Sequence, residues 1–125
     1  MIAGLPQADK SLLKKPDLFS VFSIMIGYRQ HLRVVGDSME CTISEGDLII
    51  YKKINPNNLD LNIGDIVVAV HPTIKRKLII KRIYKIYQNK FDLRGDNLLS
   101  STDSRDWGLI ELALIVGKVE KIFTQ

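Results

Sequence analysis

Six short stretches rich in β-branched and aromatic residues, separated by turn-forming clusters, set the strongest limit on what this chain can fold into. They are Leu32 to Val35, Asp47 to Lys53, Asp65 to Val70, Leu78 to Tyr87, Phe91 to Arg94 and Leu114 to Phe123. Val, Ile, Tyr and Phe suit a pleated, half-buried surface. Between the stretches lie Glu45-Gly46-Asp47, Asn55-Pro56-Asn57-Asn58, Asn62-Ile63-Gly64-Asp65, Gln88-Asn89-Lys90 and Gly95-Asp96-Asn97, residues that tolerate turn conformations. The pattern predicts a mainly β, antiparallel domain. Only the first thirty residues read as helical or irregular, and Leu98 to Trp107 reads as a long polar loop of the kind that carries function.

A chain of 125 residues, 46% hydrophobic and 26% charged, fits one globular domain with a real core. The expected division is an N-terminal segment over 1–30 and the β domain over 31–125. One cysteine, Cys41, excludes an internal disulfide, and with only His31 and His71 beside it a zinc site would need several carboxylates. No metal and no cofactor are expected. The apolar stretch Leu18 to Tyr28 falls short of the roughly 20 residues a span requires, and Arg29, His31 and Arg33 follow it where a signal-peptide cleavage site would lie. It reads as a short docking helix or strand, with peripheral membrane attachment through 18–28 as the alternative to a cytoplasmic location. From His71 to Lys90 there are seven Lys or Arg and no acid. No aromatic platform accompanies them, so a solvated face or an acidic-partner contact is expected rather than nucleic acid.

Within Leu78-Ile79-Ile80-Lys81-Arg82-Ile83 one base stands out. Strand side chains alternate, so Lys81 shares a face with Ile79 and Ile83 while Arg82 points the other way with Ile80 and Tyr84. A lysine between isoleucines loses hydration. Lowering its pKa from about 10.4 to about 7 or 8 takes roughly 4 kcal/mol, within reach of an apolar pocket, and a neutral lysine is a base. Upstream, Gly36-Asp37-Ser38-Met39 supplies a hydroxyl that such a base could activate. Alone, a lysine in an apolar strand is more often a snorkelling or edge residue.

Taken in order, Ser38-Met39-Glu40-Cys41-Thr42-Ile43, Gly46-Asp47, Gly64-Asp65-Ile66-Val67-Val68, Ile80-Lys81-Arg82, and Gly95-Asp96-Asn97 through Ser101-Thr102-Asp103-Ser104-Arg105-Asp106-Trp107-Gly108 resemble the boxes of the type I signal peptidase family of serine proteases (family S26). The resemblance implies the family's β fold, shared with LexA-like proteins, and a Ser-Lys dyad. It makes Ser38 the nucleophile and Lys81 the general base. Ser101 matches the serine that orients the lysine, Asp103 and Arg105 the pair that braces its loop, and Asp96 the family's other buried acid. These residues would support the site rather than perform chemistry. The Ser38 backbone N–H would hold the oxyanion. Some members add a hydroxyl donor two residues before the nucleophile, where this chain has Gly36, and a lost donor can cost about a hundredfold.

Cys41 stands where the family usually has proline and is expected to pack. The missing long apolar anchor, the His71-Pro72 pair and the compact Arg94 to Arg105 loop resemble the small soluble branch described as nickel-type superoxide dismutase maturation proteases. That likeness implies a precursor partner whose N-terminal extension is removed; the nickel would belong to the substrate. Alternatives are a membrane-associated signal peptidase acting on exported preproteins, a LexA-like self-cleaving protein with Ala3-Gly4 as its cut, and a peptide-binding module with a relic dyad.

Overall fold

The computed structural model describes residues 29–124. The expectations for the apolar stretch 18–28, for Ala3-Gly4 and for most of the N-terminal segment fall outside the described residues. In chain order the elements are β1 (Arg29–Arg33), β2 (Leu48–Lys53), β3 (Ile66–Val70), β4 (Leu78–Tyr87), β5 (Lys90–Arg94), the one-turn helix α1 (Ser104–Trp107), β6 (Ile110–Glu111) and β7 (Ile115–Phe123). The strands form one curled sheet in the order β1-β2-β7-β3-β4-β5-β6, with every neighbouring pair antiparallel.

All six expected stretches are strands. The first is shifted: it starts at Arg29 and stops at Arg33, because its ladder to β2 runs from Arg29↔Lys52 to Arg33↔Leu48. Arg29 and Gln30 are therefore strand, not irregular chain. The seventh strand, β6, is only two residues long and is held by pairing Ile110 with Phe91, a tertiary partner no local pattern announces. The long loop from Leu98 likewise contains α1.

Two apolar clusters lie on opposite faces of the sheet. Val67, Ala69, Ile79, Ile83, Leu93 and Ile110 belong to one; Leu32, Val34, Met39, Ile43, Ile49 and Val68 belong to the other. Adjacent residues Val67 and Val68 are both fully buried, which explains why β3 reads as the unbroken apolar run IVVAV. Register shifts at Ile50/Tyr51, Val68/Ala69 and Ile83/Lys85 supply the local bends that a curled sheet needs. Lys81, in the first half of β4, and Ser38, in the turn after β1, line one groove.

Candidate active site

In β4, buried and less buried residues alternate, and Ile79, Lys81 and Ile83 share the buried face as the sequence predicts. Lys81 opposes Val67 of β3 and is 4% exposed. The β4–β5 ladder ends one residue away, at Arg82↔Arg94. Beyond it the chain leaves the sheet at Gly95 and returns as the loop carrying Ser101.

Ser38 begins a turn closed by Thr42 N–H and Ile43 N–H on the Met39 carbonyl, both at 2.8 Å. Met39 and Ile43 are buried and anchor that turn in the core, so Ser38 is held at its rim. The 95–101 loop is stitched to the same turn: Asn97 N–H donates to Ser38 O at 2.9 Å, Asn97 Nδ2 to Asp37 O at 3.0 Å, and Ser100 Oγ to Asp37 Oδ1 at 3.2 Å. Gly95 lies where a Cβ would stand 2.5 Å from Ser38 O and 2.3 Å from Ser101 Oγ. Only the absence of a side chain lets these three strands of backbone and hydroxyl meet.

Ser38, Lys81 and Ser101 line one groove of about 880 Å³. Lys81 Nζ donates to Ser101 Oγ at 3.4 Å, and Ser101 Oγ donates to Asp103 Oδ2 at 2.6 Å. Asp103 is fully buried. Its carboxylate also accepts from Gly95 N–H (2.9 Å), from Arg105 N–H (3.1 Å), and from Arg105 Nε and Nη2 (2.9 and 2.7 Å). Asp103 thereby caps α1, while Asp106 accepts from the Asp103 N–H in return. Ser104 Oγ accepts from Leu93 N–H at 2.9 Å and ties the helix to β5.

The electrostatics follow from this packing. Burial pushes the Lys81 ammonium below its ordinary pKa; Asp103 partly opposes this, and Lys77 and Arg105 add to it. Burial alone would raise the Asp103 carboxyl, but hydrogen bonds from Arg105, Ser101 and the Gly95 N–H outweigh it and hold the group well below the usual carboxylate range.

Two expected residues stand differently, and Gly36 has a local reason for its missing side chain. Asp96 is half-buried rather than buried and does not face Lys81: it takes Arg82 Nε and Nη2 at 2.9 and 2.7 Å and Thr42 Oγ1 at 2.6 Å. Arg82 points away from the lysine face, so its acid does too, and the pair braces the Ser38 turn from behind. Cys41 is exposed, not packed, because the core contacts of its turn are taken by Met39 and Ile43. Gly36 has φ +91, a conformation that disfavours any side chain, so its lack of a hydroxyl goes with the local backbone. Sequence reasoning gave Gly95 and Asn97 no individual part in the site; their cluster read as a turn and as the start of a family box. Among the described residues no group of three or more His, Cys, Asp and Glu is placed to hold a metal ion.

This fold, with the groove it builds, is that of a peptidase family: residues 27–119 match the Peptidase S24-like family, and the chain belongs to it. Among curated proteins it is similar to mitochondrial inner membrane protease subunit 1 of Homo sapiens and of Mus musculus, each 31% identical over 104 residues, covering 67% of this chain and 63% of the relative. The Xenopus tropicalis protein of the same name is also 31% identical over 104 residues, covering 67% of this chain and 62% of its own. The chain thus spans less than two thirds of the length of these relatives.

Proposed function

We propose that this protein is a serine endopeptidase in which Ser38 and Lys81 form the catalytic dyad. The observation that carries the reading is Lys81: a buried lysine, shifted toward its neutral form, facing a fixed hydroxyl in the groove that Ser38 also lines. Neutral Lys81 takes the Ser38 hydroxyl proton as Oγ bonds to the scissile carbonyl carbon. The oxyanion of the tetrahedral intermediate meets the Ser38 N–H. When the C–N bond breaks, the Lys81 ammonium returns the proton to the leaving amine. Water then repeats the sequence on the acyl-enzyme and restores Ser38. Ser101 holds Lys81 in line, and Asp103 with Arg105 holds Ser101.

For the substrate we propose a precursor protein that loses an N-terminal extension, with nickel-type superoxide dismutase as the candidate on the branch resemblance, and the cytoplasm as the place. The test is mass spectrometry of that precursor co-expressed with wild type or with Ser38→Ala. A shortened product with wild type alone supports the reading; an intact precursor with both removes the substrate, and a shortened one with both removes the dyad. The names of the curated relatives, inner membrane protease subunits, favour a second reading, a membrane-associated peptidase. Among the described residues no helix is long and apolar enough to cross a membrane. Recovery of the protein in the membrane pellet after a high-salt wash would favour this second reading over the first.

A further inference from the structure

His71 closes the turn between β3 and β4 and is 8% exposed. Its N–H donates to Lys77 O at 2.7 Å, and its Nδ1 accepts from Thr73 N–H at 3.1 Å and Ile74 N–H at 3.0 Å. An Nδ1 that accepts carries no proton, which places the ring hydrogen on Nε2 and makes the imidazole neutral. The ring also meets Trp107 edge-on, with centroids 4.7 Å apart and planes at 60°. Trp107 ends α1, the helix capped by Asp103.

One side chain therefore joins two walls of the groove. The β3–β4 turn brings Ile74, Arg76 and Lys77 to one wall; Ser101, Thr102 and Trp107 line another. We propose that His71 is a positioning residue that fixes the separation of these walls, and so the fit of the peptide chain over Ser38. This rests on the Ser38–Lys81 reading above. A protonated ring would turn Nδ1 from acceptor to donor against two N–H groups and place a cation near Lys77 and Lys81; burial and these two charges favour the neutral ring.

The test compares His71→Ala, His71→Asn and His71→Phe on two substrates. One is a decapeptide selected from a random pool by wild-type cleavage; the other is the p-nitrophenyl ester of the single residue before the cut, which makes the fewest contacts along the groove. Asn retains an acceptor near the Nδ1 position, and Phe retains the edge contact with Trp107. For His71→Ala, KM for the decapeptide is expected to rise about tenfold, with ester turnover near wild type. Asn and Phe should each recover part of the loss, and they carry the comparison if the alanine variant does not fold. Equal losses on both substrates, or Asn and Phe both no better than Ala, would overturn the proposal. In ¹⁵N-histidine spectra the wild-type Nδ1 should be the unprotonated nitrogen; the opposite tautomer would also overturn it. Ser38→Ala separates the two readings: its retained activity defeats the dyad, whereas an inactive Ser38→Ala beside a His71→Ala indistinguishable from wild type defeats only the role of His71.

Discussion

Ser101 Oγ lies 2.6 Å from Asp103 Oδ2 and gives its hydrogen to that carboxylate. A hydroxyl so committed offers Lys81 Nζ, 3.4 Å away, only lone pairs. It can therefore orient the lysine without competing for its proton. Ser101→Ala should keep the fold, because Ser101 is only half-buried, yet let the amine swing. We expect kcat to fall about 10- to 100-fold with KM little changed, read from initial rates on a cleaved peptide beside a thermal melt. A wild-type kcat would remove Ser101 from the lysine's support.

Gly95 sits between Ser38 and Ser101. In Gly95→Ala the new Cβ would meet Ser101 Oγ at 2.3 Å and Ser38 O at 2.5 Å, distances that neither backbone nor hydroxyl can keep. The loop and the Ser38 turn must part. The expected outcome is a loss of about 1–3 kcal/mol in urea unfolding and a larger loss in kcat/KM than Ser101→Ala produces. Unchanged values for both would mean the turn and the loop are not held in register here.

This close approach shows what the sequence could and could not disclose. The strands were legible because alternation and turn clusters are local, and β4 with Lys81 on its buried face is the clearest case. Ser101, Asp103 and Arg105 were legible only as a motif resembling a family. Their shared geometry depends on Asp103 capping α1, a helix too short to leave a periodic trace. Asp96, expected as a buried supporting acid, is only half-buried for a related reason: strand alternation sends Arg82 away from Lys81, and the acid follows the arginine. The pairing of Ile110 with Phe91 had no local sign, and neither did the joint held by His71.

Asp103 gathers its donors while fully buried, so Asp103→Asn should leave N–H groups facing an amide. We expect a loss of about 2–3 kcal/mol at pH 7, with activity reduced through Ser101. The carboxyl's folded pKa lies below its unfolded value of 3.8, so its contribution is present above that pH and is lost as pH falls toward the folded value. Urea unfolding of wild type and variant at pH 7 and near pH 2.5 should show the gap narrowing in acid. A gap that widens would contradict the assignment.

Lys81 carries the opposite burden. Its folded pKa is depressed below 10.5, mainly by burial, so the folded state disfavours the proton that the unfolded chain keeps. The penalty is full below the folded pKa, shrinks as pH rises through the interval up to 10.5, and is gone above it. Lys81→Met, which fills the same space without a charge, should therefore be more stable than wild type at pH 7 by about 1–2 kcal/mol, with the difference fading near pH 10.5. It should also be inactive, as should Lys81→Arg, whose guanidinium stays charged. In the wild type, kcat/KM should climb with pH as Lys81 loses its proton, with a midpoint below 10.5. A rate indifferent to pH between about 6 and 9, together with a Lys81→Met variant less stable than wild type, would show that the lysine is a structural cation and not the base.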